Sequence, residues 1–181
     1  MKNHVLFIQG AGQGAYEADR KLASNLQDWL GYEYRVLYPR MPDEERPEYE
    51  AWRTRIAAYL SALEGEVIVV GHSLGVSILL KYLAEEKPAK PIAGLFLIAS
   101  PYWGSEGWEV DEYVLDKDLK SRIPEIQQIF FYHSRDDEIV PFSHLALYAE
   151  MYPQAIIREF DGRGHQFNND LFEVVQDIKE L

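Results

Sequence analysis

The sequence predicts an α/β fold: one domain on a compact six-stranded, mostly parallel sheet, with helices on both faces. Three observations carry this reading. Short apolar runs alternate along the chain with longer segments of helical periodicity. The apolar runs lack in–out alternation, the mark of strands buried on both faces. The length, 181 residues, suits a single core of ordinary size.

The first run, Val5 to Ile8, reads as a strand that empties into a glycine-rich loop, Gly10-Ala11-Gly12-Gln13-Gly14. Ala15 to Leu30 follows as a helix with Leu22, Leu26, Trp29 and Leu30 on one face, stopped at Gly31. Tyr34 to Tyr38 is a second strand closed by Pro39. Tyr49 to Leu63 is a helix with Trp52, Ile56, Tyr59, Leu60 and Leu63 at core-facing spacing. Val67 to Val70 is a third strand, and Leu74 to Glu86 a helix apolar almost all round, the one expected to be most buried. Leu95 to Ile98 and Ile129 to Tyr132 are the fourth and fifth strands, separated by an irregular, aromatic and acidic stretch. Pro141 to Tyr152 is a helix with proline at its first turn, Ile156 to Phe160 a weaker sixth strand, and Asn168 to Leu181 a terminal helix. A single domain over residues 1–181 is expected, with residues 101–124 as a short lid segment too small to be a separate cap.

Composition removes several function classes. There is no cysteine, so no disulfide framework, thiolate metal site or cysteine nucleophile exists. The formal charge of −12 argues against a protein that tracks nucleic-acid phosphates. The apolar N-terminal run is too short for a signal peptide or a membrane span, so no membrane partner and a cytoplasmic location are expected.

Gly71-His72-Ser73-Leu74-Gly75 fits G-x-S-x-G. So short a pattern recurs by chance; the strand directly before it and the helix directly after it make it specific. Serine on that sharp turn projects its hydroxyl from the sheet. The flanking glycines remove the Cβ atoms that would collide where strand and helix converge. The N–H of Leu74, at the start of the helix, is then an oxyanion donor.

A serine nucleophile needs a base, and the base an orienting carboxylate. Of the histidines after Ser73, His133 ends a strand and His144 falls in a helix. His165 alone stands on a flexible loop, Asp161-Gly162-Arg163-Gly164-His165, following a strand. Asp136, Asp137 and Glu138 follow the fifth strand and offer the acid; two of the three are expected to be a solvated turn. A metal site from His133, Asp136, Asp137 and His165 lacks the helical histidine spacing that would support it, and no metal is expected.

These residues resemble the α/β-hydrolase superfamily and, more narrowly, the small serine hydrolases that include retinoblastoma-binding protein 9 and its bacterial relatives. The likeness runs from Val5 to Phe167. It rests on the serine motif, on Asp136-Asp137-Glu138-Ile139-Val140-Pro141 and on Gly164-His165, with Met41-Pro42 and Trp52 as weaker marks. In that family the acid usually stands four residues ahead of the proline of D-x-x-V-P, which implies Asp137 and a triad of Ser73, Asp137 and His165. Such hydrolases commonly carry His-Gly after the first strand; here it is Gln9-Gly10. The second oxyanion donor, a backbone N–H assigned to Ala11, survives that change, whereas the loop's local geometry is left open.

Two other readings compete. Gly10 to Ala15 also fits the dinucleotide fingerprint G-x-G-x-x-A, with Arg40 placed for a 2′-phosphate, which would make an NADP-dependent oxidoreductase. That leaves Gly71 to Gly75, the acidic loop and Gly164-His165 unexplained. A non-enzymatic ligand- or protein-binding module on the same fold is the other. The expected activity is that of a serine hydrolase on small carboxylic esters or related acyl bonds, with no cofactor. Tyr102, Trp103, Trp108 and Tyr113 either line the substrate pocket or pack the lid onto the core. Residues 104–118 carry Glu106, Glu109, Asp111, Glu112, Asp116 and Asp118 against Lys117, which predicts a preference for neutral or cationic esters.

Overall fold

The computed structural model describes residues 3–105, 107–115, 123, 126 and 128–181. Six strands form one sheet: β1 (Asn3–Ile8), β2 (Tyr34–Leu37), β3 (Val67–His72), β4 (Ile92–Ile98), β5 (Ile129–Ser134) and β6 (Ile156–Phe160). Their order is β2-β1-β3-β4-β5-β6 and every neighbouring pair is parallel. Five helices connect or follow them: α1 (Ala15–Leu30), α2 (Tyr49–Ala62), α3 (Leu74–Glu85), α4 (Ser143–Met151) and α5 (Phe172–Lys179).

The absence of alternation in the strands has its cause here. Val5 and Phe7 of β1, Ile68 and Val70 of β3, and Phe96 and Ile98 of β4 join a core with Leu22 and Leu26 of α1 and Val174 and Ile178 of α5. Their neighbours Leu6, Ile8, Val67, Val69, Leu95 and Leu97 face the other way. They pack with Trp52 and Ile56 of α2, Leu79 of α3 and Tyr148 of α4. A strand with apolar partners on both faces has no polar side to show. The central helix α3 buries ten of its twelve residues. Truncating Leu79 to alanine there should cost about 2–5 kcal/mol.

The chain steps outward from β1 to β2, then crosses back to place β3 on the other side of β1. The carboxyl ends of β1 and β3 therefore flank the point where the strand order reverses, the usual place for a ligand in an open α/β sheet.

Some expectations shift. Trp29 was expected on the buried face of α1 but is 49% exposed and meets Phe172 edge-on. Its i+1 neighbour Leu30 takes the core position, since adjacent helical residues point about 100° apart. The terminal helix begins at Phe172 and not at Asn168, because Phe167, Asn168 and Asn169 all have positive φ, which an α-helix excludes. Among the described residues, no helix is long and apolar enough to cross a membrane. Glu106, Asp116, Lys117 and Asp118 lie outside the described residues.

Candidate active site

The end of β3 builds the first part of the site. Ser73 has φ 52° and ψ −126°, a conformation that a residue with a Cβ rarely adopts. The turn is held from both sides: the Ser73 N–H donates to the Ile98 carbonyl at 2.9 Å, and its carbonyl accepts from Val76 N–H at 2.9 Å. Gly75 is required by contact. A Cβ there would stand 2.4 Å from the Gln9 carbonyl oxygen and 2.7 Å from that of Ile8. α3 can therefore start hard against the end of β1 only with glycine at that position. Gly10, across the site, leaves room of the same kind; its Cβ would lie 3.1 Å from Ser73 Cβ.

The loop after β1 is fixed by Gln9, which is fully buried. Its side-chain oxygen accepts from Met41 N–H at 3.0 Å, and its amide donates to Glu44 at 3.1 Å and to the Gly10 carbonyl at 3.2 Å. Glutamine thus supplies the anchorage that the departure from His-Gly had left open. It ties the loop to the segment after β2. The same contacts account for the glycine-rich run without a dinucleotide. Gly12 N–H donates to the Glu44 carbonyl at 2.6 Å, and Arg40 lies against Glu44 and over the Tyr16 ring. Among the described residues, neither Ala11 N–H nor Leu74 N–H has an acceptor.

The loop after β5 and the loop after β6 meet beside Ser73. Asp137 accepts from His165 Nδ1 at 2.9 and 3.0 Å and from the N–H groups of Ile139 at 2.9 Å and Val140 at 2.8 Å. His133 Nε2 approaches the same carboxylate at 3.2 Å. Burial alone would raise the Asp137 carboxyl. The hydrogen bonds from His133 and His165 overrule it and hold the group well below its ordinary value. Burial, and then the charge on His72, hold the His165 imidazole below its usual range, against the pull of Asp137.

The other two acids of this loop are not a merely solvated turn. Asp136 accepts from Arg163 N–H and Gly164 N–H, both at 3.2 Å, and from the Ser134 hydroxyl. Glu138 accepts from His165 N–H at 3.0 Å. All three carboxylates hold the histidine loop: one by the ring, two by the backbone. His133 is buried behind Asp137. His144, in α4, accepts from Tyr102 N–H at 2.9 Å and sits edge-on to Trp108.

The sequence reading missed a second carboxylate–imidazole pair. Asp19, on α1, and His72, immediately before Ser73, are each about 2% exposed. His72 Nδ1 lies 2.9 Å from Asp19, and His72 Nε2 lies 3.0 Å from the His165 carbonyl oxygen. Asp19 also accepts from Gly10 N–H at 2.7 Å and from the Gln166 amide at 2.7 Å. The two imidazole centroids are 4.8 Å apart. The only signal available in the sequence was an aspartate inside the apolar face of α1.

Three of the four aromatics after β4 form one ring cluster, and Tyr102 packs separately on α4. Trp103 meets Trp108 at 5.1 Å and Tyr113 at 5.0 Å between ring centroids, and its indole N–H donates to Ser77 on α3. Tyr102 packs edge-on to Tyr148. Tyr113 is buried, and its hydroxyl donates to the Pro47 carbonyl. Packing onto the core is thus what these side chains display.

A strained serine at a strand–helix turn, unpartnered N–H groups nearby and a carboxylate-held imidazole together provide for nucleophilic acyl transfer. Comparisons with known proteins point the same way. The YdeN protein of Bacillus subtilis (strain 168), named as a hydrolase, is 26% identical over 134 residues, covering 73% of this chain and 70% of that protein. Its crystal structure superposes with a TM-score of 0.73 at 21% identity, over 99% of this chain and 98% of that one. The meta-cleavage product hydrolase CumD of Pseudomonas fluorescens IP01 gives 0.75 at 16% identity, over 98% and 91% of the two chains. Est1E of Butyrivibrio proteoclasticus gives 0.71 at 16%, over 99% and 86%. These structures share the α/β-hydrolase fold with this chain. The family model for serine hydrolases matches residues 19–173, and the chain belongs to that family.

Proposed function

We propose that Ser73, His165 and Asp137 form a catalytic triad that hydrolyses small carboxylic esters or related acyl bonds. The observation that carries this is the Asp137–His165 pair, with Nδ1 held at 2.9 Å, on a loop docked against the strained Ser73 turn. With Nδ1 donating to Asp137, the neutral imidazole presents a bare Nε2 toward the site.

Ser73 Oγ attacks the substrate carbonyl as His165 Nε2 takes its proton. Negative charge gathers on the carbonyl oxygen, which Leu74 N–H and Ala11 N–H receive, each worth about 3 kcal/mol. The tetrahedral adduct collapses, His165 returns the proton to the leaving alcohol, and an acyl group remains on Ser73. Water, deprotonated by His165, repeats the sequence and frees the acid. Asp137 fixes the tautomer and offsets the transient imidazolium charge. Ser73 Oγ and His165 Nε2 share no hydrogen bond here; such bonds commonly tighten only with substrate bound.

Tyr102, Trp103 and Trp108, in the 101–124 lid segment, are half-buried, and in this reading their outer faces form one wall of the acyl pocket while Tyr113 packs beneath them. A series of p-nitrophenyl esters of increasing acyl length tests both parts. Turnover that falls beyond short acyl chains, and vanishes in Ser73→Ala, is the expected result. Undiminished turnover in Ser73→Ala would overturn the assignment.

A further inference from the structure

His72 occupies the variable position of the serine motif, yet it is buried and held at both ring nitrogens. Both of its ring nitrogens face acceptors. A carbonyl oxygen can only accept, so Nε2, 3.0 Å from the His165 carbonyl, carries a proton. Nδ1 faces Asp19 Oδ2, which already accepts from Gly10 N–H, while Oδ1 accepts from the Gln166 amide. Gly10 N–H and the Gln166 amide, one on each oxygen, favour the ionised carboxylate, and facing it Nδ1 carries a proton as well. Two protons on one imidazole make a cation, neutralised by Asp19 inside the protein.

We propose that His72 is a buried imidazolium, clamped between the Asp19 carboxylate and the His165 carbonyl, and that this ion pair is the positioning device of the site. It joins the three segments that chemistry at Ser73 requires: the loop after β1 through Gly10, the serine turn through His72 itself, and the histidine loop through His165 and Gln166. Asp19 sits on α1, so the helix that follows the oxyanion loop also holds the base.

The electrostatics agree with the geometry. Burial alone would lower the His72 imidazole; the charge of Asp19, its hydrogen bond and that of the His165 carbonyl outweigh burial and raise it. Burial alone would raise Asp19; His72, Gln166 and Gly10 hold it below its ordinary value. The charged or titratable groups that bear on His72 are Asp19 from α1, His165 from the histidine loop and Asp137 from the loop after β5; Glu138, from that same loop, bears on His165. Tyr38, beyond Asp19, is pushed far up and stays neutral. A fixed positive charge with its ring centre 4.8 Å from that of His165 disfavours a second one, so His72 keeps the base unprotonated to lower pH.

This inference rests on the triad reading for its consequence and its kinetic arm, but not for its first test. Nitrogen-15 NMR of histidine-labelled wild-type protein at pH 7, without substrate, reads each ring directly; the His72 signals are those missing in His72→Gln. His72 should show two protonated nitrogens, and His165 one protonated and one bare. A His72 ring with a bare nitrogen at pH 7 would overturn the proposal, whatever the ester activity. The second arm uses His72→Gln, whose amide can still reach one neighbour. Its kcat should fall about 10- to 100-fold with KM little changed, and the acid limb of its kcat/KM profile should move up by about one pH unit. A limb that stays in place in the folded variant would leave His72 a packing residue and end the claim.

Discussion

Two aspartate–histidine pairs lie side by side in this site, and their rings differ in what the far nitrogen meets. In each, Nδ1 stands 2.9 Å from a carboxylate oxygen. In Asp137–His165 the second ring nitrogen has no partner among the described residues; in Asp19–His72 it is occupied by a carbonyl oxygen. That oxygen belongs to His165, so one pair is built onto the other. Residue type and carboxylate distance therefore do not separate the proposed base from the proposed strut. The separation comes from what the far nitrogen meets, since only an unoccupied Nε2 can take a proton.

The largest effect expected from breaking this comparison is at the nucleophile. Ser73→Ala should lower kcat/KM for a short ester by about 10⁴-fold or more, with an unchanged melting temperature. Next comes the carboxylate of the open pair. Asp137→Asn should cost about 10³- to 10⁴-fold in kcat through loss of the tautomer. Asp136→Asn, whose amide oxygen can still accept from Arg163 and Gly164, should cost less than about 10-fold. A severe Asp136→Asn beside a mild Asp137→Asn would exchange their roles.

A smaller effect concerns pH. The His165 imidazole is lowered from 6.5, so its neutral form persists to lower pH than for a free histidine. Activity should fall on the acid side with a midpoint below 6.5, as read by kcat/KM from pH 4.5 to 8. A flat profile over that range would rule out a histidine base.

The smallest effect is long-range. Glu109 and Asp111 are exposed beside the aromatic cluster, whereas Glu112 accepts from Tyr49 N–H and is committed to the start of α2. Neutral esters should outrun carboxylate-bearing analogues at low salt. The bias should shrink as the Debye length falls from about 30 Å at 0.01 M to about 8 Å at 0.15 M. Equal rates at both salts would remove the acidic segment from the rim.

Local chemistry made much of this legible from sequence. β6 and α1 run over the expected residues because each is bounded by its own turn signals, and the Ser73 turn is written in consecutive residues. The three acids after β5 were legible as a loop, but not in their division of labour. That division depends on the backbone N–H groups of Arg163, Gly164 and His165, which reach the loop only through the pairing of β5 with β6. Asp19 and His72 were illegible for a stronger reason: the residues they join are 53 apart in sequence, and α1 meets the end of β3 only after the sheet is assembled. His133 was set aside as a strand residue, which it is, yet its strand position is what places it against Asp137.

The central claim is that the open pair activates Ser73, and covalent labelling reads it most directly. Wild-type protein, His165→Ala and Asp137→Asn would be treated with a fluorophosphonate, and the adduct located by peptide mass spectrometry. The account predicts a single adduct on the peptide carrying Ser73, formed rapidly in the wild type and slower by about 10³-fold or more in both variants. No adduct in the wild type, an adduct on another serine, or equal labelling in all three proteins would contradict it.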